Sequence, residues 1–209
     1  MGHIAHDFVH ALTHVDHSIF ALLKALAVRP GHVAREYIEG RRKKYFGPFA
    51  FLVLAVGLAS FMIVATGVPL LAPITDSGAG GFLQRHINLV ILIQMPFLAV
   101  CCLLLFWTAR LHYAEHLVLA AYTSGFRILF LAIIGTPLMF FAHLRITDRG
   151  VIPIYFGLWV IYFAVAAVQF YRGAMAWTVA RSVIAAVLGQ VLTMALVVAF
   201  IILFSSFTG

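Results

Sequence analysis

The chain has 209 residues, 64% of them hydrophobic and only 10% charged, with a net charge of +7. Soluble domains carry about 25% charged residues, so this composition, with a mean hydropathy of +1.05, excludes an ordinary soluble domain. The length suits one membrane domain with little else, and no interleaved basic-aromatic surface of the kind that binds nucleic acid is present.

Residues 2–27 read as an amphipathic helix lying on the membrane. At about 100° per residue, His3, His6, His10, His14 and His17 share one arc, and Ile4, Phe8, Leu12, Val15, Ile19, Leu23 and Leu26 lie opposite. That is a histidine polar face on an interfacial helix. Pro30 ends it, because the residue before a proline is pushed out of the α region. A short helix over His32–Glu39 follows, with Gly40 as a left-handed cap. The run Arg41-Arg42-Lys43-Lys44 comes next, placed to anchor the chain to anionic lipid headgroups.

Five nearly charge-free runs follow: Phe46–Thr66, Asn88–Trp107, Phe126–His143, Val151–Tyr171 and Val183–Ser205. Each supplies roughly the 17–25 residues that a helix needs to cross a bilayer, and unpaired backbone is not tolerated in hydrocarbon. The expected fold is therefore all-α, a five-helix transmembrane bundle (residues 46–209) behind an interfacial segment (residues 1–45). Tyr45–Thr66 reads as a retained first span, with no cleavable signal before it. The Gly- and Pro-rich loop over Gly67–Phe82 should lack regular structure. Gly135-Thr136-Pro137 should kink the third span and free a carbonyl that needs another partner. Cys101 and Cys102 are adjacent, so on a helix they diverge and read as small apolar fillers.

Ten Lys and Arg flank the side that holds the N-terminus, against Arg85, Arg145 and Arg149 opposite. The positive-inside rule then puts the N-terminus in the cytoplasm and the C-terminus outside. The localisation expected is the inner membrane of a bacterium.

The stretch Leu26-Ala27-Val28-Arg29-Pro30-Gly31, then Arg35-Glu36-Tyr37-Ile38-Glu39-Gly40 through Tyr45, then Pro48-Phe49, resembles an uncharacterised bacterial inner-membrane family. Tyr113-Ala114-Glu115-His116-Leu117 is similar to a second element of it. The resemblance implies several spans after an Arg-Pro-Gly helix end. The chain departs from the family in lacking the paired CxxC motifs of its zinc ribbon. The layout is more distantly like that of Yip-type trafficking proteins, in architecture alone.

Two groups of residues carry candidate chemistry. His10, His14 and His17 are spaced i,i+4 and i,i+3 beside Asp7, and His112 and His116 are spaced i,i+4 beside Glu115. Such spacing can gather imidazoles over zinc or iron, with Glu115 as acid/base if the site is an enzyme's. The same face also reads as a plain polar surface, or as one that charges when pH falls. The second group centres on Arg127, an ionisable residue inside a span. No Asp or Glu lies in any predicted span, so Gln94, Gln190, Tyr122, Ser124 or carbonyls are its expected partners. The missing carboxylate argues against a proton- or sodium-coupled pump. The leading expectation is a non-enzymatic, homo-oligomeric membrane protein that binds or moves a small anion or lipid-like amphiphile. Arg127, Gln94 and Gln190 would form its cleft and Arg41, Arg42, Lys43 and Lys44 its mouth. A metal-dependent membrane enzyme is the rival, and a trafficking or assembly scaffold the third reading.

Overall fold

The computed structural model describes residues 19–66, 87–141 and 150–208. The described residues are all-helical. In chain order they form α1 (Ile19–Val28), α2 (Pro30–Ile38), α3 (Pro48–Thr66), α4 (Ile87–Leu105), α5 (Tyr113–Phe130), α6 (Thr136–Phe141), α7 (Val151–Tyr171) and α8 (Met175–Thr208). A π-helical turn, Leu131–Gly135, joins α5 to α6 without a break. Among the described residues, three helices are long and apolar enough to cross a membrane: Tyr113–Phe141, Pro153–Tyr171 and Met175–Leu203. The helices over Pro48–Met62 and Leu92–Leu105 are apolar but shorter.

Local signals set the boundaries. Arg29 takes φ −142° before Pro30, which opens α2, and Gly40 turns the chain at φ +100°. Pro48 opens α3, where the missing N–H removes no helical bond. At the start of α5, the Glu115 carboxylate accepts the His112 backbone N–H at 2.7 Å, a capping box. Arg172 closes α7 in the left-handed region, φ 53°.

α5 is the central helix and packs on α2, α3, α4 and α7, while α8 closes the other side against α4 and α7. Its Tyr122 is fully buried and donates to the Phe46 carbonyl at 2.7 Å, tying α5 to the entry of α3. At Gly31, α2 presses on α7: a Cβ there would overlap the Ala166 carbonyl and meet Gln169 Cβ at 2.6 Å. The Gly31 N–H uses that closeness to donate to Gln169 Oε1 at 3.0 Å. At Pro137 the kink is accommodated by the π turn, in which the Thr136 backbone N–H reaches back to the Leu131 carbonyl and its hydroxyl donates to the same oxygen at 3.1 Å.

Three expectations change. The third long helix begins at Tyr113 rather than Phe126. Glu115, His116, Thr123 and Ser124 lowered the local hydropathy, but His116, Thr123 and Ser124 are buried against neighbouring helices. The last helix begins at Met175 rather than Val183, with Arg181 inside it. The described part of the first helix is core rather than a rider on the surface: Leu22 and Leu26 are fully buried, while Phe20 and Val28 are exposed. The Gly67–Phe82 loop lies outside the described residues.

Candidate ligand site

Arg127 projects from the last turn of α5 toward α4 and α7. Its Nη2 donates to Gln94 Oε1 of α4 at 3.1 Å, and Gln94 Nε2 donates to Gln190 Oε1 of α8 at 2.6 Å. Three helices thus share one polar chain inside an apolar bundle. The guanidinium also lies 4.5 Å from the Trp159 ring centroid and 5.5 Å from that of Tyr155, both on α7, within cation–π range. Phe126 and Phe130 flank Arg127 on α5, and the Phe126 ring stacks on Tyr162 at 5.1 Å.

Between α5 and α7 these residues enclose a cavity of about 190 Å³ lined by Phe126, Arg127, Phe130, Tyr155, Leu158, Trp159 and Tyr162. Phe130 and Leu158 are exposed, so the cleft opens on the flank of the bundle, not at its end. The Tyr162 hydroxyl donates to the Leu26 carbonyl at 3.0 Å, so α1 roofs one side. Of the buried polar atoms without a partner among the described residues, two belong to residues that line the cleft: Arg127 Nε and the indole Nε1 of Trp159. Trp159 is only 3% exposed. An unmatched buried donor costs about 1–3 kcal/mol, so both groups favour an acceptor brought within reach. The positive charge is equally unanswered. Among the described residues the nearest carboxylate along α5 is Glu115, twelve residues and roughly 18 Å away, and it is already capping the helix.

The basic end of the bundle is arranged otherwise. Glu36 accepts from Lys44 Nζ at 2.8 Å and from the Tyr45 hydroxyl at 3.0 Å, with Arg29 and Arg41 each 3.9 Å away. The bonded Lys44 ammonium, helped by Tyr45 and Arg29, holds the Glu36 carboxyl below its usual range against the opposing effect of burial. The same bond raises Lys44. Glu39 is lowered chiefly by its 2.7 Å bond to Arg35 Nε, and Arg172 stands 3.9 Å off. Arg42 lies over the Tyr37 ring at 5.9 Å; the Lys43 side chain is outside the described set.

The histidines do not converge where they can be seen. His112 stands exposed at the start of α5, its Nδ1 3.7 Å from Glu115. One turn on, His116 is fully buried, its Nδ1 paired with the Tyr171 hydroxyl at 2.7 Å, and its Nε2 has no partner among the described residues. The i,i+4 spacing therefore leaves the two rings in different surroundings. Asp7, His10, His14 and His17 lie outside the described residues. Among the described ones, no three His, Cys, Asp or Glu side chains gather as a metal site.

The sequence identified Arg127, Gln94 and Gln190, and the structure joins them. Tyr122, another expected partner, bonds the Phe46 carbonyl instead. The aromatic wall was missed. Its signal lay in Tyr155, Trp159 and Tyr162 at i, i+4 and i+7, and in Phe126 and Phe130 at i,i+4 around the arginine.

A family model described as "Protein of unknown function (DUF3667)" matches residues 16–59. The match spans α1, α2 and most of α3, and the arginine cleft lies beyond it. Comparison with curated proteins and with solved structures gives no match.

Proposed function

We propose that this chain is a non-enzymatic membrane protein that binds an anionic amphiphile in the α5–α7 cleft, with Arg127 holding the negative group. The supporting observation is a guanidinium with no carboxylate beside it among the described residues, in the wall of an apolar cavity. A charge inside a span marks a functional site by default, and the groups answering it among the described residues are the neutral Gln94 amide and the side chains of Tyr155 and Trp159. Gln94 and Gln190 aim the guanidinium; Trp159 and Tyr155 hold its face.

In this reading α3 and α4 also cross the bilayer, giving five spans in a bacterial inner membrane. The N-terminus is then cytoplasmic, and Arg41, Arg42, Lys43 and Lys44 meet anionic headgroups there. A C-terminal alkaline phosphatase fusion should be active and a C-terminal green-fluorescent fusion dark; the reverse pattern would refute the orientation. The binding claim is tested by native mass spectrometry of protein purified in mild detergent. The wild type should retain an acidic amphiphile that Arg127→Gln loses. Equal retention by both would place any bound amphiphile elsewhere.

A further inference from the structure

Resting on that reading, we infer that the ligand is a single-chain carboxylic acid that enters the cleft sideways from the bilayer, and not a diacyl phospholipid. The argument begins with the polar groups available. Arg127 is the one charged residue among the described residues lining the cleft, and its other walls are aromatic and aliphatic. A single guanidinium matches the two oxygens and single charge of a carboxylate. A glycerophospholipid would bring ester carbonyls and a headgroup alcohol as well, and an apolar wall leaves these without partners at a cost for each.

Size points the same way. A cavity of about 150 Å³ lined by apolar side chains holds benzene, and this one is about 190 Å³. It takes an acid head with the first segment of its chain, or an acid on one ring, but not two acyl chains joined at a glycerol. The exposed Phe130 and Leu158 mark where the rest of a chain passes out between α5 and α7 into lipid. On the other side, the Tyr162–Leu26 bond holds α1 against the helix that forms the cleft wall. The opening on the flank makes the membrane itself the source of the ligand.

The tryptophans supply the test. Of three in the chain, Trp107 and Trp177 are 75% and 70% exposed, and only Trp159 lines the cleft. The double variant Trp107→Phe/Trp177→Phe therefore leaves one reporter inside the site. This protein, in nanodiscs of neutral lipid, is titrated with a chain-brominated fatty acid at a pH where the acid is ionised. Parallel titrations use the methyl ester of that acid and a chain-brominated diacyl phosphatidylglycerol. The acid should quench Trp159 fluorescence saturably and be displaced by its unbrominated form. The ester should bind at least tenfold more weakly, and the phospholipid should give only the linear quenching of random encounter. Adding Arg127→Gln should remove the saturable phase, and Arg127→Lys should restore part of it.

The ester arm keeps the charge requirement testable even if the arginine variants fail to fold. Saturable quenching by the phospholipid at or below the acid's concentration would overturn the single-chain assignment and leave the cleft a binding site for acidic lipid. Equal affinity of acid and ester would overturn the role of the charge. With no saturable quenching by any of the three on folded protein, both this inference and the reading beneath it fail.

Discussion

The cations of the basic end and the lone Arg127 of the bundle are treated in opposite ways. At the basic end, Glu36 and Glu39 are each approached by two or more cations, and the bonds tie α2 to the entry of α3 and to the close of α7. In the bundle, Arg127 meets no carboxylate among the described residues; an amide and the side chains of Tyr155 and Trp159 stand against it. A charge that exists to hold helices together is answered where it stands. On the proposed reading, a charge left without a carboxylate among the described residues takes its partner from a ligand. The difference then separates residues that maintain the fold from those that bind the ligand, and each variant below presses on one side of it.

The largest effect is expected at Gly31, where α2 meets the backbone of α7. Gly31→Ala forces a methyl into the Ala166 carbonyl and against Gln169, so α2 must lift and the Gly31–Gln169 bond is lost. Overpacking of this kind costs about 1–3 kcal/mol, and losing the bond adds to it. Denaturant unfolding in detergent should show a drop near the upper end of that range. An unchanged midpoint would mean that α2 is not fixed against α7.

Glu36→Gln comes next. It removes the carboxylate shared by Lys44, Arg29 and Arg41 while keeping the shape, and partly exposed ion pairs are worth about 0.2–1 kcal/mol each. The pH dependence carries a definite sign. Because Glu36 and Glu39 are held below their usual range in the folded state, their contribution is complete above the unfolded carboxyl range. It is lost as pH falls through the folded values. The thermal midpoint of the wild type should therefore decline on acidification below the ordinary glutamate range, and the double variant Glu36→Gln/Glu39→Gln should decline less. Parallel curves would show that these pairs do not stabilise the fold.

Tyr162→Phe removes one hydrogen bond and leaves the Leu26 carbonyl without it, for about 1 kcal/mol. The same change opens the roof of the cleft, so ligand exchange should speed up even though Arg127 is untouched. A stability loss with unaltered exchange would make Tyr162 a strut for α1 and nothing more.

Much of this division was legible in the sequence, for a physical reason. A lone arginine in an apolar run must find polar partners, and Gln94 and Gln190 were among the few available. The basic run before α3 and the pairing of Arg35 with Glu39 follow from spacing alone. What the sequence concealed depended on distant helices. His112 and His116 look like a matched pair at i,i+4, but Tyr171, far along the chain, buries one and leaves the other exposed. The polar start of α5 hid its true beginning, because hydropathy cannot tell a polar residue facing water from one buried against α7. The aromatic wall was overlooked because aromatic residues are common in such chains; only the packing of α5 on α7 shows which of them face the arginine.

The smallest expected effect on stability is the most telling. Arg127→Met replaces a charge that has no counter-ion among the described residues with an apolar side chain of similar length. Exchanging buried ionic groups for well-packed apolar ones is often neutral or stabilising. Gln94 loses one donor but keeps its bond to Gln190, and the methionine sits against the rings that now face the guanidinium. The unfolding midpoint should stay level or rise by up to about 1 kcal/mol, while the bound amphiphile disappears from the native mass spectrum. Glu36→Gln should do the reverse, losing stability and keeping the amphiphile. If Arg127→Met instead cost 2 kcal/mol or more and the amphiphile stayed, the comparison would collapse. Arg127 would then be a structural link between α4, α5 and α8, with its charge answered by the Gln94 amide and the rings of Tyr155 and Trp159.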